Sequence, residues 1–487
     1  MKIKKVFDVQ GPHGFVPNGW NYNYTNDMWD YNFIVTHETI AAFNKNFQHI
    51  SVYDCNLNIS TYNVDNKHIS ELAFNSTDSK VYENGESGLI VYAIHPFGSI
   101  DTCLGNNLNY HQHAHCFDFI SEQSKEYIRK ASNYYLIFDY SSEGDIKPEL
   151  FKTLHEKCIE LDIPPKKVLV ITSSMNTRDL YDMYLKDNPT IEQFYTAYYC
   201  WPILPKSGET RDIVQNRDVI EFNGNSNVNS LMSSDEFKNA TNRNKKALIF
   251  NRRVASHRAI LLSLLHNDNL IDEIDYSIDL SLSVIKNLGL DLAHDTGHNG
   301  EPYLKNDKVK SNMVNGFFKL NKINKKTIDY ENIDGVWGFG FENKTNYLNT
   351  YFSVITETIF YEYGNYISEK SFKGFAHLHP FVIVGKPGIL KYLKSKGFKT
   401  FSDFWDESYD EIEDNSDRME SVYKTIKSLI QKTNEEWDEL NIKLLPILEH
   451  NRNTLITIKE TEVNTTYINN LYKLFENEPN TENYYLF

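Results

Sequence analysis

The chain has 487 residues, 40% of them hydrophobic and 14% aromatic, with 50 Lys and Arg against 66 Asp and Glu for a formal charge of −16. At roughly 100–200 residues per domain this length calls for two to four folding units, and the apolar content excludes a chain that is disordered throughout. The acidic balance excludes a global pull toward nucleic acid or anionic membrane and leaves room only for a local basic groove.

Cys55, Cys103, Cys116, Cys158 and Cys200 are odd in number, widely spaced and form no C-x-x-C pair. That usage fits a reducing compartment and argues against a disulfide framework or a zinc finger. The opening MKIKKVFDVQGPHG has no apolar core of a secretory signal, and no run of ~18 apolar residues occurs. The expectation is a soluble cytoplasmic protein with no membrane partner.

In chain order, short apolar runs recur with polar turns between them. GLIVYAIHPF (Gly88–Phe97), YYLIFDYSSEG (Tyr134–Gly144), KKVLVITSS (Lys166–Ser174) and FYTAYYCWP (Phe194–Pro202) read as strands. Between the second and third, Leu150, Phe151, Leu154, Cys158 and Leu161 recur at helical spacing. Strand, helix, strand with short connections implies a parallel sheet.

The stretch from Gly208 to Lys246 is punctuated by Asn, Ser and Gly and reads as a linker or exposed loop. The alternation then resumes with KKALIFNRR (Lys245–Arg253), a helix HRAILLSLLHN, a strand IDYSIDL, YFSVITETIF (Tyr351–Phe360) and HPFVIVG (His379–Gly385). Ser281 to Thr345 shows no clear pattern. From Ser416 onward, Met419, Val422, Tyr423, Ile426, Leu429 and Ile430 form an apolar helical stripe, and Pro446 is expected to interrupt or end the helix after it. The expected architecture is α/β: two Rossmann-like domains facing a cleft, with a C-terminal helical segment. Its boundaries are 1–240, 245–410 and 411–487. Ligands of open parallel sheets bind at the carboxyl ends of strands, which directs attention to the loops there.

Four loops carry chemistry. In FNRRVASHR (Phe250–Arg258) a strand ends in Asn251, Arg252 and Arg253, and Ser256 is placed to cap a helix carrying His257 and Arg258. Guanidinium forks beside a helix N-terminus suit a diphosphate, although a pair of arginines also simply terminates strands into water. In YEYGNYISEKSFKGFAHLHPFVIVG, Ser368 is a good N-cap. Glu369, Lys373 and His377 share one helical face at i, i+4, i+8, and Phe372, Phe375 and Ala376 form the buried face. A Glu and a Lys at this spacing are ordinary on a helix surface, yet Glu369 can accept from hydroxyls while Lys370 and Lys373 neutralise phosphate.

IHPFGSIDT and YHQHAHC form the third loop. His111, His113 and His115 alternate as a metal site would, but no fourth ligand is evident and no metal is assigned. His95, at a strand end, is the better acceptor-side group. FDYSSEGD is the fourth, with Asp139 at a strand end and Glu143 in the loop. Either carboxylate can take the proton of an acceptor hydroxyl, and either can equally cap the next helix. GKPG (Gly385–Gly388) is too short to call a phosphate loop, and Pro387 suits a helix first turn.

The segment SEKSFKGFAHLHPFVIVGKPGILKYLKSKGFKTF, with the strand ending in Asn251-Arg252-Arg253 before it, resembles the donor-binding half of GT-B glycosyltransferases. It is similar to the fucosyltransferase-like pattern and more so to glycosyltransferase-like proteins of bacteriophage genomes. Asn251, Arg252, Arg253, Glu369, Lys370, Phe372, Lys373, Pro380, Gly385 and Gly397 fill that pattern, which spans Lys245 to Asp410. The small residues usual after E-K-x-x-K are replaced here by Gly374, Phe375, Ala376 and His377.

The resemblance implies transfer of a sugar from a nucleotide-diphosphate donor to a hydroxyl. Asn251, Arg252, Arg253, Ser368, Glu369, Lys370 and Lys373 would hold the donor, and Asp139, Glu143 and His95 are the catalytic candidates. No Asp-x-Asp occurs in the chain, so the expectation is a metal-independent enzyme without cofactor, the nucleotide-sugar being a co-substrate. The acceptor partner is either a hydroxylated base in phage DNA, which would place the protein in the host cytoplasm, or a glycan, lipid or protein. The alternative is a non-catalytic two-domain protein that binds nucleotide or a partner.

Overall fold

The computed structural model describes residues 4–6, 90–94, 122–130, 134–140, 146–199, 232–251, 255–280, 302–323, 325–326, 328, 344–457, 466, 470–471, 473–479 and 481–486. The chain forms two α/β units, Met1–Trp201 with Lys459–Phe487, and Pro202–Ile458. The helices between Asn415 and Thr457 thus belong to the second unit, and the segment after them returns to the first. No described helix is long and apolar enough to cross a membrane.

In the first unit, β1 (Lys4–Val6), β2 (Ile90–Ile94), β3 (Tyr134–Tyr140), β4 (Val168–Thr172) and β5 (Tyr195–Tyr198) make a parallel sheet in chain order. α1 (Glu122–Lys130) precedes β3, α2 (Glu149–Glu160) links β3 to β4, and α3 (Thr177–Asp187) links β4 to β5. β4 is buried along its whole length, which is why it reads as an unbroken apolar run. The tail returns to close the far edge: Tyr198 N donates to Tyr484 O at 2.7 Å and Leu486 N to Tyr198 O at 2.9 Å.

In the second unit, α4 (Ser234–Asn239) leads to β6 (Lys245–Asn251), α5 (Ser256–Asn267), β7 (Ile274–Asp279), α6 (Asp307–Leu320), β8 (Lys325–Lys326) and α7 (Lys344–Leu348). β9 (Thr350–Thr356), α8 (Glu369–Ala376), β10 (Phe381–Val384), α9 (Ile389–Ser395), α10 (Asn415–Ile430) and α11 (Asn434–Thr457) follow. The sheet order is β10-β9-β6-β7-β8, parallel except for the short edge strand β8. The chain builds outward from β6 through β7 to β8, then crosses back to lay β9 on the other side of β6. That reversal falls at the carboxyl ends of β6 and β9, the place where open parallel sheets bind their ligands. Among the described strands the first unit has no such reversal.

Several expectations need correction. Gly208–Lys246 is not all linker: Ser233 and Glu236 form a reciprocal capping box that starts α4, and β6 has begun by Lys245. Ser281–Thr345 contains α6, capped by Asn306, whose side chain accepts from Lys308 N and Val309 N. Pro446 lies inside α11 and does not end it. Pro387 precedes the left-handed Gly388 (φ 83°) that starts α9, so it is not in the first turn. The strand expected over Tyr351–Phe360 ends at Thr356.

Candidate functional site

At the strand reversal the last residues of β6 and β9 meet the start of α8. Asn251 and Thr356, both fully buried, join the two strand ends: Thr356 Oγ1 donates to Asn251 Oδ1 at 2.5 Å. Asn251 N donates to Ser277 Oγ at 3.0 Å on β7, so the end of β6 is tied to both neighbouring strands. Asn251 Nδ2 is buried and has no acceptor among the described residues. Arg252 and Arg253 follow immediately and lie outside the described residues.

Glu357, the residue after β9, is fully buried. Its carboxylate accepts from Ser368 N at 3.0 Å and from Ser371 Oγ at 2.7 Å, one oxygen to each. Its backbone N donates to Val384 O at 2.9 Å. His257 Nε2 lies 2.9 Å from its carbonyl oxygen, which also accepts from Arg258 Nη2 at 3.2 Å. One residue therefore ties β9, β10, α5 and α8 together. Sequence reading passes over it, although a lone Glu closing an apolar strand is the available signal.

Ser368 is the N-cap of α8, as expected. Its Oγ accepts from Lys370 N at 3.4 Å and from the Lys370 ammonium at 3.2 Å. Lys370 Nζ also donates to Thr358 Oγ1 at 3.4 Å. Glu369 is the first residue of α8, and its side chain lies outside what the structure describes. Phe372, Phe375 and Ala376 are buried, as their spacing predicts.

His377 departs from the expected shared face. It is the C-cap of α8, buried, and stacked on Tyr347 with ring centroids 4.1 Å apart. The helix stops one residue short of it because Leu378 turns left-handed (φ 51°). The two lysines act on different histidines. Lys370 helps to depress the pKa of His257, and Lys373 that of His377.

α5 differs from expectation at its start. Ala255 is the N-cap and Ser256 is already helical, its hydroxyl donating to Tyr303 Oη at 3.1 Å. His257 is fully buried, and burial, assisted by Arg258, holds its pKa down to about 3. It is a neutral structural imidazole at any ordinary pH. The Arg258 guanidinium donates to Thr356 O at 3.1 Å as well as to Glu357 O, so it clamps the end of β9.

At the far side, Arg418 of α10 is fully buried and reaches four carbonyls from Nε, Nη1 and Nη2. These are Gly385 at 3.1 Å, Ile412 at 2.8 Å, Glu413 at 3.0 Å and Phe360 at 3.1 Å. It fixes the exits of β9 and β10. Lys386, next to Gly385, has its pKa lowered to about 8, mainly by burial and then by Arg418.

In the first unit, Asp139 is the penultimate residue of β3, paired in register with Ile171 of β4. Its side chain, together with Glu143, His95, His111, His113 and His115, lies outside the described residues.

No protein family and no curated protein matches the chain. Among solved structures it is similar to the Candida albicans trehalose-6-phosphate phosphatase N-terminal domain, at 10% identity and a TM-score of 0.33 over 83% of this chain and 77% of that one. It is also similar to the Glycosylation Associate Protein (Gap123) complex from Streptococcus agalactiae, at 9% identity and a TM-score of 0.25 over 82% of this chain and 59% of that one. Likenesses this distant carry no argument about activity.

Proposed function

We propose that this protein is a glycosyltransferase whose second unit binds a nucleotide-diphosphate sugar at the carboxyl ends of β6 and β9. The observation that supports the reading is the Lys370 ammonium held at the strand-order reversal, three hydrogen bonds, by way of Thr356, Glu357 and Ser368, from Asn251, after which Arg252 and Arg253 follow. Sugar transfer leaves negative charge on the departing diphosphate, and cations fixed in advance stabilise that charge without reorganising. Lys370, Arg252 and Arg253 would do this, with Asn251 Nδ2 offering a further donor and Glu369 accepting from sugar or ribose hydroxyls.

The acceptor hydroxyl must lose a proton, and Asp139, Glu143 and His95 of the first unit are the candidate bases. The acceptor is a hydroxylated base in DNA or a hydroxyl of a glycan, lipid or protein. A DNA acceptor requires binding that weakens steeply with salt, against the net charge of −16.

Thermal shift with UDP, GDP and their sugars, followed by nucleotide-release assays, tests the proposal. Stabilisation by one nucleotide is expected, with Lys370→Met and Arg252→Ala each reducing it. Binding without release across a donor and acceptor panel would favour the non-catalytic alternative. Absence of any stabilisation at millimolar nucleotide would overturn the reading.

A further inference from the structure

We propose that Glu357 is the positioning residue of this site: its buried carboxylate draws Ser368 against the β9 exit, so that the Ser368 and Thr358 hydroxyls together fix where the Lys370 ammonium stands. The inference rests on the reading that Lys370 meets the diphosphate.

Among the described residues, the Thr358 and Ser368 hydroxyls accept from the Lys370 ammonium, and they come from places ten residues apart in the chain, Thr358 just after β9 and Ser368 at the start of α8. Glu357 is what joins them. It precedes Thr358 directly and holds the Ser368 amide at 3.0 Å, with Ser371 of the same helical turn bonded to its other oxygen at 2.7 Å. Its own place is over-determined, since its backbone N bonds β10 and its carbonyl receives His257 and Arg258 from α5.

Gly385 makes room for this side chain. A Cβ at that position would stand 3.3 Å from Cβ of Glu357 and 2.6 Å from Cδ1 of Ile389. A fully buried carboxylate is costly unless charge-assisted bonds and a helix N-terminus offset the lost hydration. Packing alone would be served by an apolar residue, so a carboxylate here is explained by what it holds. It also takes up the Ser368 amide and the Ser371 hydroxyl, while Ser368 Oγ caps the Lys370 amide. An incoming phosphate meets an α8 first turn already committed to Glu357, with the Lys370 side chain as its cation.

The test is a double-mutant cycle on the full chain, read by calorimetric titration with UDP and GDP and by amide hydrogen exchange. Glu357→Gln is expected to weaken binding of the recognised nucleotide tenfold or more, and Lys370→Met to do the same. The double variant should bind no more weakly than Lys370→Met alone, because Glu357 acts through Lys370. Exchange over 366–371 should quicken at least tenfold in Glu357→Gln. If that variant does not fold, Ser371→Ala, which removes one bond, carries the same cycle with a smaller effect.

Losses that simply multiply in the double variant would sink the positioning role while leaving the nucleotide reading intact. If the wild-type protein binds neither nucleotide, the donor reading falls. Exchange then decides alone: quickening confined to 366–371 supports the brace, and unchanged exchange overturns it.

Discussion

Thr356 Oγ1 donates to Asn251 Oδ1 at 2.5 Å, and this bond joins the ends of two strands that are neighbours in the sheet but 105 residues apart in sequence. Both residues are buried, so the bond has no water to replace it. Thr356→Val keeps the shape and removes the donor, leaving the Asn251 oxygen unsatisfied. A loss of about 1–3 kcal/mol is expected, read as a lower Tm, and on the proposed donor reading nucleotide stabilisation should weaken with it. Thr356→Ser should recover most of both.

Gly316 makes the contact between α5 and α6 possible. A Cβ there would lie 1.7 Å from Ser263 O and 2.6 Å from Ser263 C, both backbone atoms. The helices would have to part, so Gly316→Ala should cost about 3 kcal/mol or more despite the better helix propensity of Ala. Asn315→Ala, at the exposed neighbouring position, should be neutral or slightly stabilising. Thermal unfolding of the pair separates close packing from propensity.

The buried histidines give the second unit a pH dependence. Burial first, then Arg452, Lys373 and Lys344, lower the His377 pKa from 6.5 to about 3. As pH falls below 6.5 the unfolded chain takes a proton that the folded chain refuses until about 3, so stability declines across that window. His257 and His379 act in the same sense. Asp410, raised to about 6 mainly by burial, opposes them between 3.8 and 6. His377→Phe keeps a ring against Tyr347 and removes one proton site. Its Tm should therefore fall less between pH 7 and pH 4.5 than that of the wild type.

Arg418 should resist conservative replacement. Its planar fork meets four backbone carbonyls at once and stacks over Phe360 at 4.5 Å. A lysine has three donors on one atom and cannot span that set. Arg418→Lys is expected to lower stability by about 3 kcal/mol through orphaned buried carbonyls. The thermal midpoint checks this, and quickened exchange in the loops after β9 and β10 would locate it.

The strand cores are legible in the sequence because parallel strands are buried on both faces and appear as unbroken apolar runs. α8 is legible for a different reason, a Ser N-cap ahead of paired aromatics. α6 is hidden, although its buried Met313, Gly316, Phe317 and Leu320 stand at helical spacing. A glycine at its tightest contact, amid Lys and Asn, masks the pattern. Pro446 misleads because a long helix tolerates the loss of one amide bond that a short one does not. Glu357 escapes notice since its meaning lies in partners 11 and 14 residues onward and 100 residues back. Local pattern carries none of that.

The returning tail has a consequence for how the first unit comes into being. Arg178 N bonds Asn483 Oδ1 across 305 residues, and among the described residues the segment around Tyr484 to Leu486 bonds the open edge of β5 at Tyr198. During synthesis the whole of the second unit must leave the ribosome before that strap exists. Until then the Tyr198 amide and carbonyl lack the partners the tail gives them, and an unpaired strand edge is a template for wrong pairing. The nascent first unit is thus the stage at which a chaperone, or a neighbouring chain, has its opportunity.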